Sequence, residues 1–227
     1  MKLLIPLLEQ NRDEIAQLYV KEQGKTLAEA YGEIDKSIAF IDYMTSLSMS
    51  NKGEVLQNSV ENEIIQITKK PIGVTAGIVP WNAPIMVLMR KVIPAVVTGC
   101  SVVIKPSEET TLLTLKLAEL FRASTIPAGL IQIVPGTGET VGTQLATHKD
   151  IQLISLTGSM RAGKSVYEHA AQTVKKVNLE LGGNAPVIVT PHADIDKAVD
   201  YIVAARINNA GQVCTCPEQY LCSRRCS

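Results

Sequence analysis

The chain has 227 residues, 46% of them hydrophobic, which is enough for one or two globular domains with a substantial core. Lysine plus arginine and aspartate plus glutamate number 22 each, so no overall field favours nucleic acid or an anionic membrane, and a small-molecule ligand is expected. Five cysteines, an odd number, together with an N-terminus that does not resemble a signal peptide, indicate reduced thiols in a cytoplasmic protein.

Apolar residues recur at helical spacing in the first fifty positions. The pattern predicts two amphipathic helices, over residues 3–22 and 26–48, with Gly24 between them. From Gly53 to Gly77 apolar residues alternate with polar or small ones, which predicts strands.

A stretch without charged residues runs from Pro71 to Met89. Its length is nominally sufficient for a membrane span, but prolines at positions 71, 80 and 84 would break a helix there. The stretch is therefore predicted to be a buried strand that leads into a loop, and no membrane is expected as a partner.

Strand and helix patterns alternate after residue 82, which predicts an α/β fold with a doubly wound parallel sheet. The predicted strands are 102–104, 130–134, 153–156, 177–179 and 185–190, and the predicted helices are 110–122, 139–147, 160–173 and 194–208. Asp194 is the expected N-cap of the last helix. Ligands of such sheets bind at the carboxyl ends of the strands, where we expect Lys105, Gly136, Gly158 and Glu180.

Two glycine-rich turns follow predicted strands. The first, Gly136-Thr137-Gly138-Glu139-Thr140-Val141-Gly142, is one residue longer than the dinucleotide-binding fingerprint and is a weak signal alone. The second, Gly158-Ser159-Met160-Arg161-Ala162-Gly163-Lys164-Ser165, satisfies the pattern of P-loop NTPases. A P-loop enzyme also needs a strand that ends in a magnesium-binding aspartate. No predicted later strand ends that way, which weakens the P-loop interpretation.

A thiol and a carboxylate stand on two separate glycine-flanked turns. Cys214 follows Asn208-Asn209-Ala210-Gly211-Gln212-Val213, and Glu180 lies in Leu179-Glu180-Leu181-Gly182-Gly183. A thiolate is a strong nucleophile toward a carbonyl carbon, and a carboxylate can deprotonate either the thiol or the water that cleaves a thioester. The pair therefore fits a nucleophile and a general base.

Four cysteines crowd the C-terminus: Cys214, Cys216, Cys222 and Cys226. Their spacing lacks the C-x2-C pair that a structural zinc site favours, and the three histidines are scattered. No metal site is predicted.

Together with Val79-Pro80-Trp81-Asn82, the two turns resemble the aldehyde dehydrogenase superfamily, from the first helix to about Glu218. By this resemblance Cys214 is the nucleophile, Glu180 the general base and Asn82 the oxyanion-binding side chain. The segments Ile104-Lys105-Pro106-Ser107-Glu108 and Gly211 to Cys216 are most similar to lactaldehyde and glycolaldehyde dehydrogenases. The implied reaction oxidises an aldehyde to a carboxylic acid through a thiohemiacetal and a thioester, without a metal.

The resemblance also implies a Rossmann-like cofactor site and a domain division. By the resemblance, Lys105 and Glu108 bind the adenosine ribose of the cofactor. NAD is therefore expected rather than NADP, because the 2′-phosphate of NADP would be repelled by the negative charge of Glu108. Residues 1–190 are expected to form the NAD-binding domain, with a β-arm at about 50–80, and residues 191–227 to begin the catalytic domain. The implied cofactor-binding residues are Val79, Trp81, Lys105, Ser107, Glu108, Gly138, Gly142, Gly158, Ser159, Leu181 and Gly182.

Members of the family are considerably longer than this chain, so we expect a truncated catalytic domain and the absence of the strand that pairs subunits in the family's homo-oligomers. Residues 219–227 depart from the expected continuation and resemble an out-of-frame tail. The chain is expected to hold the cofactor but to show little dehydrogenase activity alone. Three functions stay open: an active NAD-dependent aldehyde dehydrogenase, a nucleotide-binding remnant without turnover, and a P-loop NTPase.

Overall fold

The computed structural model describes residues 1–60 and 62–223. The helices are α1 Leu4–Gln10, α2 Arg12–Gln23, α3 Leu27–Leu47, α4 Pro84–Val97, α5 Thr111–Ala123, α6 Thr143–Thr147, α7 Met160–Ala171 and α8 Ile195–Ile207. The strands are β1 Glu54–Gln57, β2 Ile64–Ile67, β3 Val74–Ile78, β4 Ser101–Lys105, β5 Ile131–Ile133, β6 Ile151–Gly158, β7 Lys176–Leu181, β8 Pro186–Val189 and β9 Gln219–Cys222.

A five-stranded parallel sheet in the order β5-β4-β3-β6-β7 forms the centre of the fold. From β3 the chain winds outward through β4 to β5, then crosses back so that β6 and β7 lie on the other side of β3. The loops after β3 and β6 therefore diverge, which opens a crevice at their carboxyl ends. The predicted α/β fold with a doubly wound parallel sheet is confirmed.

Buried apolar side chains cover both faces of the sheet. One cluster joins helices α1 to α5 to the sheet, and the other joins α6 and α7 to it. On β4 the side chains of Val102 and Ile104 belong to the first cluster, whereas Val103 packs against the second. This division follows from the alternation of side chains across a strand.

The single helix predicted over residues 3–22 is wrong, because the helix is interrupted at Asn11. The Asn11 backbone is non-helical, with φ −100° and ψ 10°, and its side-chain amide donates to the Leu7 carbonyl at 2.8 Å. An asparagine side chain that bonds to nearby backbone competes with the helix in this way. The predicted stop at Gly24 agrees with its left-handed φ of 85°.

The β-arm is shorter than the predicted span of about 50–80. It consists of the antiparallel hairpin β1–β2, whose side chains are all exposed. The end of the predicted span, Val74–Ile78, is instead the central strand β3. Small residues in β3 leave room for the side chains that pack against it. A Cβ on Gly77, for example, would lie only 2.6 Å from the Ile104 side chain.

The predicted strand at 185–190 forms, but outside the five-stranded sheet. It corresponds to β8, which pairs in parallel with β9 in a separate two-stranded sheet. The chain leaves β7 at Gly182 and Gly183, where an added Cβ would meet no atom within 4 Å. Residues 219–222, expected to belong to a tail, form β9, and Cys226 lies outside the described residues.

No helix among residues 1–60 and 62–223 is long and apolar enough to cross a membrane.

Candidate active site

Most of the residues predicted for the site lie where strands of the parallel sheet end. Val79-Pro80-Trp81-Asn82 follows β3, Lys105 ends β4, Gly158 ends β6, and Glu180 and Leu181 end β7. Because the strands are parallel, these ends share one edge of the sheet, beside the crevice between β3 and β6. Val79 extends the pairing, since its N–H donates to the Lys105 carbonyl at 3.0 Å.

Hydrogen bonds join the loop of Asn82 to the turn before Cys214. The Asn82 side-chain amide donates to the Gln212 carbonyl at 2.8 Å, across 130 residues of sequence. The Asn209 side-chain amide also donates to the Asn82 carbonyl at 3.2 Å and to the Gln212 carbonyl at 3.2 Å. Cys214, two residues beyond Gln212, is exposed. The structure thus brings two of the three predicted catalytic segments into contact.

The turn before Cys214 has a strained backbone. Asn209, Ala210 and Gly211 have φ values of 50°, 53° and 78°, a left-handed region that only glycine adopts without cost. Asn209 is buried, and its N–H donates to the Glu29 carboxylate at 2.6 Å. Gln23 also donates to the Asn209 side chain, at 3.3 Å. Side chains of α2 and α3 therefore stabilise the strained turn.

Glu180 lies exposed at the end of β7, paired with Thr157 of β6. Among the described residues, no hydrogen bond joins it to Asn82 or Cys214. Lys91 of α4 donates to the Ser155 hydroxyl at 2.9 Å. Burial lowers the pKa of Lys91 to about 8, and the charge of Glu180 partly offsets that effect. Lys91 is thus a partly buried cation that interacts electrostatically with the predicted base.

Lys105, Glu108 and Gly138 form a line of hydrogen bonds across the ends of β4 and β5. The buried Lys105 ammonium donates to the Glu108 carboxylate at 3.1 Å, and the other oxygen of that carboxylate accepts from the Gly138 N–H at 2.9 Å. Burial opposes ionisation of Glu108, but backbone hydrogen bonds and Lys105 keep its pKa below the ordinary value. Ser107 caps the turn by accepting from the Glu109 N–H. Gly142 packs beside Lys105.

The segment from Gly158 to Ser165 does not have the geometry of a P-loop. A P-loop wraps phosphates with a loop between its two glycines, but here helix α7 already begins at Met160. Ser159 is the N-cap, and its hydroxyl accepts from the Ala162 N–H at 3.2 Å. Gly163 permits close packing, since a Cβ there would lie 2.6 Å from the Leu181 side chain. The start of α7 therefore faces the crevice as a helix N-terminus, which favours anions.

Sequence reasoning missed two kinds of residue near the site. Lys91 was hidden because a lysine in a helix is usually solvated, and its burial depends on the contact with Ser155. Asn209 and the buried pair Lys25–Glu33 were hidden because their partners are distant in sequence. Among the residues that the structure describes, no cluster of three or more His, Cys, Asp and Glu side chains could hold a metal ion.

We expect Lys91→Met to remove a pH dependence of stability above pH 8. The pKa of Lys91 is about 8 in the folded protein and 10.5 in the unfolded chain, so the unfolded chain binds more protons between these values and stability rises with pH. Below pH 8 both states are protonated, and the burial penalty is fully present, on the order of 3 kcal/mol. The stability of the methionine variant relative to the parent should therefore fall from pH 8 to pH 10.

Urea unfolding of both proteins at several pH values measures this difference, and the parent–variant comparison cancels the titration of other groups. Lys164→Met, at an exposed lysine of α7, is the matched control and should show no such trend. A Lys91→Met difference that stays constant from pH 7 to pH 10 would contradict the assigned pKa.

Comparison with known proteins matches residues 1–227 to the aldehyde dehydrogenase family, which extends the resemblance beyond the predicted limit at Glu218. The chain is 41% identical over 210 residues to succinate-semialdehyde dehydrogenase [NADP(+)] of Escherichia coli K12, covering 92% of this chain and 44% of that enzyme. It is 41% identical over 212 residues to the lactaldehyde dehydrogenase of the same strain, covering 93% of this chain and 44% of that enzyme.

A solved structure of lactaldehyde dehydrogenase from Escherichia coli superposes with a TM-score of 0.96 at 38% identity, over 99% of this chain and 47% of that chain. The chain thus spans a little under half the length of these relatives. The family match covers every residue of the chain, and the fold agrees with the solved relative over nearly all of it. The chain therefore belongs to the aldehyde dehydrogenase family.

Proposed function

We propose that this chain carries the nucleophile, the general base and the cofactor site of an NAD-dependent enzyme that oxidises an aldehyde to a carboxylic acid. The observation that supports this most directly is the hydrogen bond from the Asn82 amide to the Gln212 carbonyl. It joins the predicted oxyanion-binding loop to the turn of the predicted nucleophile. Cys214 is exposed beside this contact and can meet a substrate.

In the proposed first step the Cys214 thiolate attacks the aldehyde carbon, and a thiohemiacetal forms. An asparagine amide carries two N–H bonds, and Asn82 uses one for the Gln212 carbonyl. The second N–H is left to donate to the oxyanion, together with the backbone N–H of Cys214. The contact with Gln212 thus orients the Asn82 side chain without using all of its donors.

In the proposed second stage Glu180 removes a proton from water, which attacks the thioester carbon and releases the carboxylic acid and the Cys214 thiol. An exposed carboxylate at the end of β7 can exchange its proton with solvent between turnovers. The partly buried Lys91 side chain interacts electrostatically with Glu180. A bound nicotinamide would supply the two-electron acceptor between the two stages.

The crevice at the carboxyl ends of β3 and β6 fits a dinucleotide. The start of α7, capped by Ser159, would bind the pyrophosphate, and a Cβ on Gly182 would meet no atom, so backbone and ligand could approach closely there. Lys105 and Glu108 would bind the adenosine ribose. The remaining residues proposed for this site are Val79, Trp81, Ser107, Gly138, Gly142, Gly158 and Leu181.

NAD is the proposed cofactor because Glu108, which we propose binds the adenosine ribose, is a carboxylate whose pKa lies below the ordinary value. Its two carboxylate oxygens accept hydrogen bonds from the Lys105 ammonium and the Gly138 N–H, and these bonds restrict the position of the side chain. A 2′-phosphate would meet this negative charge at close range. One relative, the succinate-semialdehyde dehydrogenase of Escherichia coli, is named for NADP(+), so the preference has to be measured on this chain.

We expect the chain to bind NAD more tightly than NADP, and Glu108→Gln to reduce that preference by about tenfold or more, since one close like-charge contact accounts for an effect of this order. Titration calorimetry with both nucleotides measures it. Glu109→Gln, which changes the neighbouring carboxylate on the same turn, is the matched control. Equal affinity of the parent for both nucleotides would contradict the proposal.

The proposed substrate is an aldehyde of the lactaldehyde or glycolaldehyde type. We further propose a cytoplasmic enzyme without nucleic acid or membrane partners, in which residues 1–190 belong to the cofactor domain and residues 191–227 to the catalytic domain. Because the chain spans less than half of its relatives, a second candidate is nucleotide binding without turnover. Helix α8, which leads to Cys214, contributes no buried side chain, and this favours that candidate for the isolated chain.

The experiment that tests the function is NADH formation by the purified chain with glycolaldehyde, lactaldehyde and succinate semialdehyde. We expect saturable NAD binding, and turnover at least a hundredfold below that of Escherichia coli lactaldehyde dehydrogenase measured in parallel, since a misplacement of ~1 Å costs about that much. Any turnover should vanish in Cys214→Ala and persist in the control Cys222→Ala. Robust turnover that survives Cys214→Ala would exclude Cys214 as the nucleophile.

A further inference from the structure

Three side chains of α2, α3 and the turn between them form a buried cluster behind Asn82. Tyr19, Lys25 and Glu33 are 0%, 8% and 7% exposed. The Lys25 ammonium lies 2.7 Å from a Glu33 carboxylate oxygen, and the Tyr19 hydroxyl donates to that same oxygen at 2.7 Å. We refer to Tyr19, Lys25 and Glu33 as the anchor cluster.

Each N–H of the Lys25 ammonium has an acceptor. An ammonium carries three donors, and Lys25 donates to Glu33 at 2.7 Å, to the Tyr19 hydroxyl at 2.9 Å and to the Asn82 carbonyl at 3.3 Å. Burial and the Glu33 charge raise the pKa of Tyr19 far above its ordinary value, so its hydroxyl remains a donor. The backbone carbonyl of Asn82 is therefore a required member of this network.

Glu33 connects the anchor cluster to the other side of the Asn82 loop. Its second carboxylate oxygen accepts from the Met86 N–H at 3.1 Å, in the first turn of α4. The first N–H groups of a helix have no partner within the helix, and a carboxylate there also interacts favourably with the helix dipole. The cluster thus fixes the backbone at residue 82 and again four residues later.

A buried ion pair is poor evidence of stabilisation, because desolvation of both charges offsets their attraction, and apolar replacements are often equally stable. The anchor cluster instead contributes orientation. The Lys25 ammonium donates to the Asn82 carbonyl and so fixes the orientation of the peptide group after Asn82. We propose that Lys25, with Glu33 and Tyr19, is a positioning residue that fixes the Asn82 amide against the turn of Cys214. This inference rests on the proposed role of Asn82 in binding the oxyanion.

The alternative is that the cluster only joins α2, α3 and α4. In that case its loss should lower stability without a selective effect on the Asn82 side chain. The two N–H protons of the Asn82 amide distinguish these cases, because one of them donates to the Gln212 carbonyl. That proton should resonate downfield and exchange slowly with solvent in the nitrogen-correlated NMR spectrum, and the signal can be assigned with Asn82→Asp, which lacks it.

The test compares the parent with the double variant Lys25→Met/Glu33→Gln. Removal of both charges leaves no unpaired buried ion, so the variant is expected to fold, and glutamine can still accept from the Met86 N–H. We expect the slow Asn82 proton to exchange at least about fivefold faster, the order of protection from one hydrogen bond. Tyr19→Phe, which removes only the hydroxyl, should produce a smaller change in the same direction.

Val166→Ala is the control for general destabilisation. Val166 is buried on α7 in the cluster on the opposite face of the sheet, so its truncation lowers stability without contact to the anchor cluster. An Asn82 signal that is unchanged in the double variant, or that changes equally in Val166→Ala at matched loss of stability, would overturn the inference. Because this readout needs no turnover, an altered Asn82 signal in a chain whose turnover survives Cys214→Ala would leave the positioning role intact and refute the proposed function.

Discussion

The turn that precedes Cys214 is held in place by hydrogen bonds rather than by a hydrophobic core. Helix α8, which leads into this turn, contributes no buried side chain. The turn itself is left-handed at Asn209, Ala210 and Gly211, a conformation that costs free energy at the two non-glycine residues. Its position depends on contacts from Gln23, Glu29 and Asn82. The geometry of the candidate nucleophile therefore depends on polar groups of the N-terminal helices.

This dependence explains why the N-terminal helices belong to the site although they carry none of the predicted catalytic residues. Glu29 caps α3 together with Thr26 and also accepts from the Asn209 N–H. Hydrogen bonds from Thr26 and from Asn209 keep the pKa of Glu29 below its ordinary value, so it accepts as a carboxylate at neutral pH. One side chain thus fixes both a helix start and the strained turn.

Local sequence signals predicted much of the fold. Alternating strand and helix patterns gave the parallel sheet, Gly24 ended α2, and Asp194 capped α8 as expected. The errors arose where non-local pairing decides the structure. The strand patterns of the hairpin and of β3 are alike in sequence, and only pairing with β4 and β6 makes β3 central. Likewise, nothing near β8 in sequence indicates that it pairs with β9.

The site was predictable to the extent that its residues lie in motifs. Asn82, Glu180 and Cys214 each stand on a recognisable turn, and Lys105, Glu108 and Gly138 proved to be bonded to one another. The supporting residues were not predictable, since Gln23 and Asn209 are 186 residues apart in sequence, and the burial of Lys25 and Lys91 depends on tertiary packing. Glu180 remains the predicted residue with the least direct connection to the others.

These polar contacts, we propose, build a reactive site around Cys214. Mass spectrometry after limiting iodoacetamide tests this proposal most directly, because Cys214 and Cys222 are both exposed, whereas Cys100 and Cys216 are buried. We expect Cys214 to be alkylated first among the five thiols, and we expect Asn209→Ala, which releases the turn, to remove this preference. Preferential labelling of Cys222 with Cys214 left unmodified would contradict the proposal.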